Sequence, residues 1–123
     1  MNLKRNLILL SSFVVLTGCS TINSIKEYWP RDHDPAMFKQ LVIVKTDIDD
    51  VDCEKPEWTN AINNTRILSL YTEWREDPQR ANIKGLYDHT VKMSKGGSKA
   101  FCELGKKTAQ GRIDAARKAW GGR

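Results

Sequence analysis

The sequence predicts an all-α protein, a small up-down-up-down four-helix bundle stapled by a disulfide and preceded by an export segment and a short tether. Three observations predict it. Helix-start and helix-stop signals divide residues 35–120 into four stretches of about 18 to 23 residues. Within each stretch apolar residues recur at spacings of three and four. Cys53 falls in the first connection, and Cys102 in the first turn of the fourth helix just after the third connection. At 123 residues the chain holds one small domain. A two-domain enzyme, a doubly wound nucleotide-binding fold and a multi-span transporter are excluded, because each needs more chain or more apolar residues than 40% of this length.

The first helix, about 35 to 52, starts at Asp34-Pro35, an N-cap followed by proline at the first helical position. Met37, Leu41, Val44, Ile48 and Val51 then form one stripe. The run Leu41-Val42-Ile43-Val44 has strand character taken alone, but the stripe crossing it favours helix. Lys55-Pro56 interrupts it, since Pro56 disfavours α conformation in the residue before it. The second helix, about 56 to 76, groups Trp58, Ala61, Ile62, Thr65, Leu68 and Tyr71, with Ile67, Leu70 and Trp74 expected to widen that face.

Asp77-Pro78 repeats the cap-and-proline signal and opens a third helix, about 78 to 95, on Ile83, Leu86, Tyr87, Thr90 and Met93. Gly96-Gly97 ends it, and Ser98 is placed to cap the fourth. There Phe101, Leu104, Thr108, Ala109, Ile113, Ala116 and Trp120 are expected to line one side. Gly105 and Gly111 weaken this helix by roughly 1 kcal/mol each relative to alanine, so they mark either close helix contact or fraying. Residues 121–123 are read as a flexible tail.

Up-down-up-down connectivity puts the first and third connections at the same end of the bundle, where Cys53 and Cys102 can meet. In an oxidising compartment their disulfide closes a loop of about 50 residues and stabilises by about 2 to 4 kcal/mol. A different connectivity with the first and last helices parallel would also bring them close.

The third cysteine belongs to the N-terminus. Lys4 and Arg5 precede an apolar run from Leu7 to Leu16 that is too short to span a bilayer and has the form of a signal peptide. It ends in Leu16-Thr17-Gly18-Cys19, which resembles the lipobox of bacterial lipoprotein precursors. The resemblance covers residues 1–19 and implies cleavage between Gly18 and Cys19, with Cys19 becoming the lipidated first residue of a 105-residue mature chain. Ser20 after the lipidated cysteine, in place of the aspartate that favours inner-membrane retention, implies the periplasmic face of the outer membrane. An ordinary signal peptide carrying an incidental cysteine, or a short core segment, is the alternative. Residues 19–34 are then a polar tether, in which Ile22, Ile25, Tyr28 and Trp29 allow one short turn near the membrane surface.

The net charge of +5 falls to +3 when Lys4 and Arg5 are removed. From Cys19 to Ala81 there are eight Lys or Arg against twelve acids, and from Asn82 to Arg123 ten against three. Such a split could bring the halves together or offer a basic face to an anionic partner, but solvated helix faces are the favoured explanation. No nucleic-acid recognition motif is present.

No catalytic set emerges. Asp47, Asp49, Asp50, Asp52 and Glu54 invite a calcium loop, but the sixth and twelfth positions from Asp47 are Asp52 and Trp58 rather than glycine and glutamate. Asp32-His33-Asp34 and the remote His89 make no usual zinc set, so no metal and no cofactor are expected. G-x-S-x-G is absent, and Glu73, Glu76 and Asp77 read as the polar end of one helix running into the cap of the next rather than as glycosidase carboxylates.

Trp58, Trp74 and Trp120 with Tyr71 and Tyr87 read first as core. The alternative is an interhelical groove for an amphipathic partner segment, with Trp74 as anchor and Arg75, Arg80, Lys92 and Lys95 as a basic rim. The expected protein is a non-catalytic adaptor held by lipid through Cys19, with another envelope protein or peptidoglycan as partner. In layout it looks like the secretion pilotins, small helical lipoproteins that carry a secretin subunit to the outer membrane. A phage-encoded lipoprotein, either an outer-membrane spanin or an exclusion factor, is the alternative, and an envelope enzyme or inhibitor a second.

Overall fold

The computed structural model describes residues 33–121, so Gly18, Cys19 and most of the tether lie outside the described residues. Four helices follow in order: α1 Pro35–Asp49, α2 Thr59–Trp74, α3 Arg80–Ser94 and α4 Lys99–Gly121. Each packs against its neighbour in the chain, and α4 closes on α1, while the diagonal pairs stay apart. This is the up-down-up-down bundle that the stop and start signals predict.

The ends show which signals held. Asp34 caps α1 with its carboxylate, accepting from the amides of Ala36 at 3.0 Å and Met37 at 3.1 Å. Ser98 Oγ accepts from the amide of Phe101 at the start of α4. Elsewhere the helices are shorter than their patterns. Helix α1 stops at Asp49 rather than 52, because Asp52 turns the chain instead, accepting from the Glu54 amide through its side chain and from the Lys55 amide through its carbonyl. Helix α2 starts at Thr59 rather than 56, with the Glu57 carboxylate bonded to the Thr59 amide and hydroxyl. Helix α3 starts at Arg80, since Asp77-Pro78 forms a turn in which the Asp77 carbonyl receives the Arg80 amide at 3.0 Å.

Helix α2 ends in a Schellman motif: the Asp77 amide reaches the Thr72 carbonyl at 2.9 Å and the Glu76 amide that of Glu73 at 3.0 Å. The left-handed position, φ 52°, is held by Glu76 where glycine is usual.

The core takes one stripe from each helix. Met37, Leu41, Val44 and Ile48 of α1 meet Ala61, Thr65, Leu68 and Thr72 of α2, Ile83, Leu86, Thr90 and Met93 of α3, and Cys102, Gly105, Ala109, Ile113, Ala116 and Trp120 of α4. The three buried threonines are satisfied locally, Thr65 and Thr90 also meeting each other at 3.2 Å between hydroxyls.

Two expectations about this core are corrected. Ile67, Leu70 and Trp74 do not widen the buried face of α2; they are 52%, 41% and 81% exposed. At 100° per residue they stand about 120° or more from the centre of the Ala61–Thr65–Leu68–Thr72 stripe, and a four-helix bundle buries only one stripe per helix. On α4, Phe101, Leu104 and Thr108 face out, because Cys102 must face inward to reach Cys53 and carries Gly105 and Ala109 with it.

Cys53, in the α1–α2 connection, is joined to Cys102 with Cα atoms 5.7 Å apart. Around the staple, Lys99 pairs with Glu54, and Lys106 Nζ donates to the carbonyls of Asp49 and Val51 at 3.0 and 2.8 Å. Between α3 and α4, Gly105 is a place of close approach: a Cβ there would meet the Met93 thioether at 2.4 Å. Nothing lies within 4 Å of such an atom on Gly111.

Candidate functional site

The end of the bundle where the tether enters is built on Asp34. Its second carboxylate oxygen receives the Tyr71 hydroxyl at 2.8 Å and the Arg75 guanidinium at 2.9 Å, so the start of α1 is tied to the last turn of α2. Burial pushes the Asp34 pKa up, but the Met37 amide, the Tyr71 hydroxyl, the Arg75 charge and the Ala36 amide together bring it below the ordinary value. The same bond to Asp34 raises the Tyr71 phenol, with burial and the Asp34 charge adding to it. The four groups satisfy one another and form a structural clasp.

Beside this clasp stands Trp74, the most exposed large apolar side chain of the described residues. Leu70 and Ile67 continue from it down α2 at helical spacing, and Ile43 stands at the corresponding angle on α1. The two helices are held in register there by Gln40 and Asn64, bonded at 3.1 Å. The outer face of the α1–α2 pair therefore carries an apolar stripe.

The sequence-predicted rim is divided by the fold. Trp74, Arg75 and Arg80 lie together at the α2–α3 turn, where Arg80 donates to the carbonyls of Glu76 and Asp77 at 3.1 Å each. Lys92 and Lys95 lie at the other end of α3, about 20 Å away along the helix. The aromatic set divides as well: Trp58 and Trp120 are buried, Tyr71 and Tyr87 half-buried, and Trp74 bare.

Other sites of possible chemistry carry structural bonds. His89 donates from Nε2 to the Gly105 carbonyl at 2.8 Å, tying α3 to α4. His33 is exposed with its ring 5.8 Å from that of Phe38. Of the acids near the staple, Asp49 pairs with Lys45 and accepts from Gln110 at 3.0 Å. Burial raises the Asp49 pKa, and these partners with the Lys106 charge bring it below the ordinary value. Among the described residues no three His, Cys, Asp or Glu side chains gather to hold a metal ion. A cleft of about 540 Å³ between α1 and α4 is lined by Lys45, Asp49, Gln110, Ile113, Asp114 and Arg117, but its charges pair among themselves.

Sequence reasoning missed the orientation of Trp74, Leu70 and Ile67. The signal that could have found it was the Ala61–Thr65–Leu68–Thr72 stripe, complete at spacings of four, three and four without them.

The class this fold and surface define is a disulfide-stapled antiparallel four-helix bundle with an apolar stripe on its α1–α2 face. No family model, curated protein or solved structure matches the chain.

Proposed function

We propose that this chain is a lipoprotein anchored at the periplasmic face of the outer membrane through acylated Cys19, and that it acts as a non-catalytic adaptor, pilotin-like in role by analogy of layout. The observation that carries the reading is the Cys53–Cys102 disulfide. Disulfides of this kind persist in oxidising compartments such as the bacterial periplasm. With two of the three cysteines joined, the third is the one that stands at the end of Leu16-Thr17-Gly18-Cys19. The helical domain would be held by its tether within reach of a second envelope component, another protein or peptidoglycan. Lys92 and Lys95, without a carboxylate within 4 Å among the described residues, are cations on the far end available to it.

Metabolic labelling with radioactive palmitate tests the anchor. The label is expected in the wild-type chain and lost in Cys19→Ala, and label persisting in that variant defeats the assignment. In-envelope photocrosslinking from positions 92 and 95 tests the adaptor role. A discrete adduct supports it, and the absence of any adduct from either position in a correctly exported chain counts against it.

A further inference from the structure

We propose that the α1–α2 face of the bundle is a membrane seat, in which Trp74, Leu70, Ile67 and Ile43 enter the interface of an anionic bilayer while Lys39 meets its headgroups. The proposal rests on the lipid-anchored reading for its cellular setting, but its physical basis is the surface itself.

Size speaks first. With 81%, 52% and 41% of their surfaces bare, Trp74, Ile67 and Leu70 together expose on the order of 350 Å² of apolar area. That is under half of the roughly 800 Å² a side that a stable protein–protein interface buries, so a second copy of the chain would be held poorly. A membrane contact made by a tethered domain needs far less. Fourteen residues separate Cys19 from Asp34, a reach of about 50 Å at most, and such a tether keeps the domain at high effective concentration against the bilayer.

Position agrees with size. Asp34, the first capping residue of α1, is bonded to Tyr71 and Arg75 at the end of α2, so the start of α1 and the Trp74 turn share one end of the bundle. Tryptophan favours the headgroup level, where its ring is buried and its N–H stays wet.

Charge points the same way. Lys39 lies on the outward side of α1 one turn before Ile43, whereas Arg66 stands about 100° round α2 from Ile67, on the side of α3. Among the described residues Lys39 has no carboxylate within 4 Å, and its side chain is long enough to lie along apolar groups with the charge at the headgroups. On the same face the acids Asp47 and Asp50 come at the end of α1 near the staple, away from Trp74. The seat is therefore engaged with the tether end tilted toward the bilayer. Anionic lipid complements Lys39 at the tether end. Seated this way, α3 and α4 face away from the membrane with Lys92, Lys95 and Leu104 open to a partner.

The test uses the full mature chain with Cys19→Ala, so that no acyl chain contributes, and vesicles of phosphatidylethanolamine and phosphatidylglycerol against vesicles of phosphatidylcholine. Sedimentation should show weak partitioning that rises with the anionic lipid. Trp74→Ser should lower it at least tenfold and Lys39→Gln about fivefold, while Arg66→Gln, on the α3 side of α2, should change it less. Circular dichroism should show all three variants folded, because the altered side chains are exposed. In the acylated protein reconstituted with brominated lipid, the Trp74 fluorescence, taken as the difference from Trp74→Phe, should be quenched by the lipid and shielded from aqueous iodide. Partitioning indifferent to Trp74→Ser, or Trp74 open to iodide and blind to brominated lipid, overturns the seat. Loss of palmitate labelling with anionic-lipid binding intact would instead remove the anchor and leave the seat standing. Concentration-dependent dimerisation through Trp74 in place of lipid binding would assign the face to a second copy.

Discussion

The indole Nε1–H of Trp120 donates to Oδ1 of Asp77 at 3.0 Å, and both side chains are shut away from solvent. The same oxygen receives the Gln79 amide at 2.9 Å, so the last turn of α4 is tied to the α2–α3 turn at a single carboxylate. Trp120→Phe is expected to cost about 2 to 3 kcal/mol in urea unfolding, since a buried hydrogen bond to a charged group is lost along with some ring area. Trp58→Phe is the control. The Trp58 indole N–H is buried without an acceptor among the described residues, so its removal relieves a desolvation cost and the loss should be clearly smaller. Equal losses would show that ring volume alone decides.

Glu76 holds the left-handed position of the Schellman motif that ends α2. A side chain there costs about 1 kcal/mol that glycine does not incur, so Glu76→Gly should raise the unfolding midpoint without altering the helix content seen by circular dichroism. An unchanged or lowered midpoint would mean that the Glu76 side chain contributes an interaction of its own.

The clasp at Asp34 makes a prediction about pH. Its folded pKa lies below the ordinary 3.8. The stability lent by its charge is therefore present in full above that value and is lost as pH falls through the lower folded pKa. Asp34→Asn keeps a capping oxygen but removes the charge. Its stability deficit should be constant at neutral pH and shrink as pH drops below about 4, read from urea titrations at each pH. A deficit independent of pH would show that the charge contributes nothing.

Gly105 and Gly111 of α4 should respond in opposite ways. Gly111 has open space where a Cβ would go, so Gly111→Ala should stabilise by about 1 kcal/mol. At Gly105 the new Cβ would displace the buried Met93 thioether, and Gly105→Ala should show none of that gain. Combining it with Met93→Ala should bring the two changes below additivity.

Cutting the staple should cost at least as much as Trp120→Phe. Reducing Cys53–Cys102, or replacing both with serine, is expected to cost about 2 to 4 kcal/mol, read as a lower urea midpoint. A midpoint unmoved by reductant would show that Lys99–Glu54 and the Lys106 bonds to Asp49 and Val51 hold that end without it.

Much of the fold was legible in the sequence because it is a matter of local chemistry. Asp34-Pro35, Ser98 and Gly96-Gly97 act within a turn of themselves, and the Met37–Leu41–Val44–Ile48 stripe has a helical period whatever it packs against. The pairing of Cys53 with Cys102 followed from the order of the connections. The reach of each helix was less legible, since Asp52, Glu57 and Asp77 could cap a helix or turn the chain, and only their hydrogen bonds decide between the two. The candidate site was legible only as a set of residue types. Ile67, Leu70 and Trp74 are as apolar as the residues that fill the core, and composition cannot say which of two apolar stripes on one helix turns inward. Packing decides that, because the space between four helices admits one stripe from each. The narrow Ala61–Thr65–Leu68–Thr72 face fits that space and leaves Trp74 outside. By itself the sequence determined four helices, their order and their staple; the tertiary structure decided which aromatics are core and which single tryptophan of the bundle is left to meet something else.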